Sequence, residues 1–187
     1  MPTHLHRRHC LQLLGGAAVW TLGVPSQASS KNTPPALQTA GQLLAWPATQ
    51  PTPSLKALAL NGQTRSLSDF TGAPMILNFW ASYCAPCLLE IPQFNQLLQL
   101  HRAAGLRIAA VNHGEMPARV LQFLQTTPFQ GDVLLDRSQT QLSAWGGIAL
   151  PTSIVIDAQS RAHWWHMGEI DWLSADTQAK LATVLRL

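Results

Sequence analysis

The chain has 187 residues, of which 47% are hydrophobic and 11% charged, with a formal net charge of +3. That length allows one domain and rules out a second full one. So little charge excludes a disordered or coiled-coil chain, while the apolar supply is ample for a globular core.

The first 28 residues carry Arg7 and Arg8, an apolar stretch from Leu11 to Val24 broken by Gln12 and Thr21, and then Ser26-Gln27-Ala28. Small residues stand at the two positions that a signal peptidase reads, which predicts a secretory signal cleaved after Ala28. The apolar stretch falls short of the ~20 residues of a membrane-spanning helix; an uncleaved anchor is the alternative. Arg7-Arg8 resembles the twin-arginine export signal, although His6 replaces the usual Ser or Thr and no Lys follows. Removing this segment takes away two arginines and no acid, so the net charge falls from +3 to +1. The remaining basic residues are scattered from Lys31 to Arg186, which argues against a nucleic-acid partner.

From residue 29 to Pro53 the chain is rich in Ser, Thr, Pro, Gln and Ala without a sustained period, and reads as a flexible linker to a domain over 54–187. Leu55 to Leu60 and Thr64 to Leu67 flank Asn61-Gly62, which accepts positive φ at both turn positions and predicts a β-hairpin. Met75 to Trp80, apolar except for Asn78, predicts a central buried strand. After Cys84, apolar residues from Leu88 to Leu100 recur at helical spacing, with Pro92 expected to kink the helix. Further on, strands are predicted over Leu106–Val111, Val133–Leu135, Thr152–Ile156 and Arg161–His166. Helices are predicted over Pro117–Gln125, Ser138–Trp145 and from the N-cap Ser174 to Arg186. This alternation implies an α/β fold, a mixed sheet with helices on both faces.

Once the signal, with Cys10, has left, two cysteines remain, Cys84 and Cys87. A C-x-x-C pair closes a loop too small to staple a fold, so it points to chemistry. Half of a zinc site is the other reading, but no second C-x-x-C follows. His163 and His166 lie on a predicted strand, where residues three apart point to opposite faces. Cys84 falls where a strand runs into a helix, and there the backbone N–H groups and helix dipole favour thiolate over thiol. Cys87, one turn later, is placed to displace a mixed disulfide. Glu90 is three residues further on the same helical face. In a partly apolar setting its carboxyl would have a raised pKa and could take the Cys87 proton.

From Leu55 to Leu187 the sequence resembles the thioredoxin superfamily, and within it the exported TlpA- and ResA-like thiol-disulfide oxidoreductases. The resemblance rests on Trp80 ahead of Cys84-Ala85-Pro86-Cys87, on Ser66-Leu67-Ser68-Asp69-Phe70, on Val111-Asn112, and on Gly147-Ile148-Ala149-Leu150-Pro151-Thr152 ahead of a strand. It implies a thioredoxin-like fold with an N-terminal β-hairpin extension. It also implies a cis Leu150-Pro151 bond beside the cysteines, Glu90 as proton acceptor, and Trp80, Tyr83, Pro86 and Leu150 as the surface meeting substrate, with Trp80 also readable as a packing platform beneath the site. The only redox group implied is the Cys84-Cys87 disulfide, with no further cofactor or metal. Asn78 departs from cytoplasmic thioredoxins, where a buried aspartate occupies this place; the departure shifts proton handling to Glu90.

On this resemblance the chain is expected to be an exported, periplasmic reductant of protein disulfides, recharged by a membrane thiol-electron donor and serving cytochrome c or metalloprotein maturation. It would touch the membrane only through a retained signal. Two other readings stay open: a disulfide-forming oxidant, and a copper-handling module built on His113, His163, His166 and Met167.

Overall fold

The computed structural model describes residues 41–185; the expected signal, the first part of the expected linker and Arg186 lie outside the described residues. In chain order the elements are β1 (Leu44–Ala45), β2 (Lys56–Ala59), β3 (Thr64–Ser66), β4 (Met75–Trp80), α1 (Ala85–Leu100), β5 (Arg107–His113), α2 (Pro117–Thr126), β6 (Asp132–Asp136), α3 (Gln141–Ala144), β7 (Thr152–Ile156), β8 (Ala162–Met167) and α4 (Ala175–Leu185). A 3-10 turn over Leu67–Phe70 links β3 to β4, its first N–H groups held by the Ser66 and Asp69 capping box.

The strands form one eight-stranded sheet in the order β1-β8-β7-β4-β5-β6-β2-β3. β4, β5 and β6 run parallel, while β7 and β2 join their outer flanks antiparallel. The run Met75–Trp80 lies centrally and is buried on both faces, as its near-continuous hydrophobicity requires. The two-residue period then divides its side chains. Leu77 and Phe79 pack with Val111, Ile154 and Trp145 on one face. Ile76 meets Phe94, Leu97, Trp172 and Leu181 on the other, beneath α1 and α4. Asn78 and Trp80 share that second face, which determines what they can touch.

The expected hairpin forms with Gly62 at φ +81°, but Asn61 does not take positive φ, so only one of the two expected turn positions is left-handed. Helix α1 continues through Pro92 to Leu100. Ser174 accepts the Thr177 N–H at 3.3 Å, so the expected cap of α4 is in place.

The expected linker boundary at Pro53 is corrected by the structure, because residues 43–53 are built into the domain. Leu43 is 2% exposed and sits in the core under α1 and α4. Leu44 and Ala45 pair with Trp165 and Trp164, the Trp46 N–H donates to the His163 carbonyl, and Thr52 Oγ1 accepts the Ala162 N–H. The segment lacked a strand signature because its pairing is only two residues long and Pro47, Pro51 and Pro53 follow it. Truncating Leu43 tests this boundary. Leu43→Ala should lower the stability of the oxidised protein by about 2–4 kcal/mol in chemical denaturation, the usual cost of emptying a buried leucine site. A loss near zero would return these residues to the linker.

Candidate active site

At the carboxyl end of β4 the chain turns through Ala81, Ser82 and Tyr83 into α1, with Cys84 as the N-cap residue. Cys84 and Cys87 form a disulfide with their Cα atoms 5.3 Å apart. Cys84 keeps 9% exposure and Cys87 2%, so the first cysteine is the less deeply buried of the pair. The peptide bond between Leu150 and Pro151 is cis, as expected. Pro151 is buried at the start of β7; Leu150 is partly exposed, and its backbone makes no hydrogen bond among the described residues.

The expected contact surface divides. Tyr83 is 68% exposed and Pro86 partly exposed, both available to a partner. Of the two readings of Trp80 the contact-surface one is corrected and the packing one stands: it is 3% exposed and packs on Phe123 at 5.2 Å between ring centroids, in the same core cluster as the disulfide. Ile148, 87% exposed, and Met116, 59% exposed, add apolar surface on the loops before β7 and before α2. Neighbouring strands bring those loops to the same end of the sheet as Cys84.

Glu90 lies on the inner face of α1, fully buried. Its Oε1 accepts the Trp172 Nε1–H at 3.0 Å and the Ile170 N–H at 3.3 Å, and its Oε2 accepts the Asn78 Nδ2–H at 3.3 Å. Asn78 gives its other amide hydrogen to Ser153 Oγ at 2.9 Å. Loss of hydration favours the neutral acid, and the nearby Glu169 charge adds to it. The three donors resist but do not cancel this, and the pKa is raised to about 8. Asn78 and Glu90 were legible in the sequence; Ser153, Ile170 and Trp172 were not, because they are brought together from 75 to 82 residues away.

A second carboxyl was missed. Glu115 accepts hydrogen bonds from the Ser82 N–H at 2.7 Å, from Ser82 Oγ–H and from Asn112 Nδ2–H at 2.6 Å, with Arg119 4.0 Å away. Partial burial opposes its charge, yet these donors prevail and hold the carboxyl below its ordinary value. It ties the loop ahead of Cys84 to the loop after β5. The histidines of the copper reading have other partners, His163 Nε2 lying 2.8 Å from Asp157 and His166 Nδ1 2.8 Å from the Gln42 carbonyl, and among the described residues no group of three or more His, Cys, Asp or Glu side chains is placed to hold a metal ion.

The sequence profile of the AhpC/TSA family matches residues 48–162, more than half of the chain. The chain belongs to that family. It is 34% identical over 102 residues to the thiol-disulfide oxidoreductase ResA of Geobacillus thermodenitrificans (strain NG80-2), a match covering 54% of this chain and 59% of that protein. Identity to the ResA of Bacillus subtilis (strain 168) is 33% over 101 residues, covering 54% and 56%. The chain thus matches a little over half the length of these curated relatives. Among solved structures, a thiol:disulfide interchange protein of the thioredoxin family from Chlorobium tepidum TLS superposes with a TM-score of 0.61 at 26% identity, over 73% of this chain and 96% of that one. The thioredoxin-like fold and the resemblance to ResA-like proteins expected from the sequence are therefore borne out. In this member of the AhpC/TSA family Cys84 and Cys87 are joined as a disulfide at the head of α1.

The raised pKa of Glu90 has a measurable consequence in the oxidised protein. A free glutamate ionises near 4.5, this one near about 8; between those values the folded state alone holds the proton, so its contribution to stability is present at low pH and lost as pH rises. Glu90→Gln cannot ionise. Relative to wild type the variant should gain stability from about pH 5 to pH 8, on the order of 1 kcal/mol per pH unit. Parallel stability curves for the two proteins would mean that Glu90 is hydrated and ordinary.

Proposed function

We propose that the chain is an exported thiol-disulfide oxidoreductase that reduces protein disulfides with the Cys84-Cys87 dithiol. The observation that carries the reading is a disulfide at the head of α1 with a fully buried acid one helical turn further along. In the reduced protein the Cys84 thiolate, favoured by the helix start, attacks one sulfur of the substrate disulfide. A mixed disulfide forms and the other substrate sulfur leaves as thiolate. Cys87 then loses its proton to the Glu90 carboxylate and attacks the Cys84 sulfur. The second substrate thiolate leaves, and Cys84–Cys87 closes. Two electrons pass from the dithiol to the substrate.

The oxidised state is the product of that transfer. A carboxyl that keeps its proton up to about pH 8 suits an acceptor that has just received one. Recharging runs the steps backwards, with a membrane thiol-electron donor supplying the electrons and Glu90 returning its proton to Cys87. Leu150, whose backbone groups are unpaired among the described residues, suits pairing with an extended substrate segment. Tyr83, Pro86 and Ile148 would flank that segment. The expected signal places the reaction outside the cytoplasm, where cytochrome c or metalloprotein maturation would supply substrates.

Insulin reduction under a thiol donor, together with equilibration in graded redox buffers, tests both activity and direction. A reductant should turn insulin over and hold a potential near those of reducing thioredoxins; a disulfide-forming oxidant would hold a markedly higher one. In the reduced protein, alkylation near neutral pH should fall on Cys84, Cys87→Ser should trap mixed disulfides and Cys84→Ser none. Preferential labelling of Cys87 would reverse the roles. Glu90→Gln should slow resolution of the mixed disulfide by on the order of ten- to a thousandfold and flatten its pH dependence. An unaltered profile would assign the proton to solvent.

A further inference from the structure

Helix α1 holds the segment between β8 and α4 at two points. Glu90 binds the Ile170 N–H and the Trp172 indole, and Gln93 Oε1 accepts the Trp172 N–H at 2.8 Å. From the other side, Gln178 Nε2–H of α4 donates to the Trp172 carbonyl at 2.7 Å. The Trp172 ring is fully buried and tilted against Phe94 with centroids 5.1 Å apart, so the indole has no freedom to turn away. Of the donors on Glu90, its bond is the shortest at 3.0 Å.

We propose that Trp172 is a positioning residue for the proposed reaction, fixing one oxygen of Glu90 through its indole N–H and thereby setting the pH at which Glu90 exchanges its proton with Cys87. The inference rests on the oxidoreductase reading for its role, but its geometry stands without it. The indole is a donor only, so it stabilises the carboxylate more than the neutral acid. The Ile170 N–H and the Asn78 amide act in the same sense, while burial and the Glu169 charge act against them. Cys87 on α1 is held in the disulfide and does not titrate in the oxidised protein, and His166 lies on β8 opposite Ser153. The His166 ring is itself kept from charging by burial, against the pull of the Gln42 and Glu169 carbonyls.

This segment therefore carries both signs of influence on one acid. Glu169 raises the pKa, and Ile170 and Trp172 lower it, within four residues of chain. Removing the indole donor leaves desolvation less opposed. The midpoint of Glu90 should then rise by on the order of one pH unit, the scale of losing one charge-assisted hydrogen bond.

The unmodified oxidised protein provides the first test. In an NMR titration the Trp172 indole N–H resonance should move with the same midpoint as the Glu90 carboxyl carbon, while that of Trp145, whose indole N–H is buried without a partner, should stay still. An indole signal of Trp172 that ignores the Glu90 titration would overturn the proposal. Two variants separate donor from packing. Trp172→Phe should shift the Glu90 midpoint upward and slow exchange with a protein disulfide about tenfold near pH 7, converging on wild type at high pH. Phe94→Leu, which loosens the ring contact without touching the hydrogen bond, should lower stability and leave the midpoint alone. Equal shifts in both variants would reduce Trp172 to packing. If none of the proteins exchanges disulfides at all, the oxidoreductase reading fails, and the two NMR titrations still decide whether Trp172 governs Glu90.

Discussion

A carboxyl with no access to water must find its partners inside the protein, and Glu90 imposes that demand on every element around it. Its place on α1 follows from the disulfide, since the residue one turn beyond Cys87 necessarily faces the sheet. Around it the fold has gathered an amide from β4, a main-chain N–H and an indole from the segment after β8, and through Asn78 a hydroxyl from β7. The strand order makes this possible, because β7 lies directly beside β4 and Asn78 is register partner to Ser153. The long antiparallel return through β7 and β8 thus both completes the sheet and delivers Trp172 to the underside of α1.

Asn78 shows why an apparent departure can be a consistent choice. An aspartate there would place a second acid 3.3 Å from the Glu90 carboxyl, and two acids at that distance cannot both ionise at ordinary cost. The amide removes the competition and contributes a donor, while Ser153 takes its remaining hydrogen. With an amide in that place, Glu90 is not coupled to a second acid at hydrogen-bond distance.

Much of this was legible in the chain. The apolar run Met75–Trp80, the Asn61-Gly62 turn and the Cys84-x-x-Cys87 pair at a strand-to-helix junction are local signals, and each marked its element to within a few residues. Glu90 followed from helical spacing together with the ResA-like resemblance. Segment 43–53 did not, because a two-residue strand leaves no period and its prolines imitate a tether. Trp80 could be read from the sequence as contact surface or as packing, and strand alternation turns it inward with Ile76 and Asn78. Glu115 carries no motif: a lone acid in a loop becomes meaningful only when the fold sets Ser82, 33 residues earlier, against it.

The two carboxyls near the disulfide are pushed in opposite directions, and this divides their tasks. Both lose hydration on folding. Glu115 has its oxygens occupied by the Ser82 N–H and hydroxyl and by the Asn112 amide, with Arg119 nearby, so it stays charged and has little capacity left to take a proton. Its effect is mechanical: it pins Ser82, two residues before Cys84, and so fixes where the chain enters α1. Glu90 accepts as many hydrogen bonds but longer ones for a deeper burial, and it keeps its proton well into the neutral range. Environments that drive two acids apart in this way mark which of them holds the structure and which can exchange a proton. By that criterion, the proton exchange proposed for this site falls to the buried acid on the helix, while Glu115 holds the turn into α1.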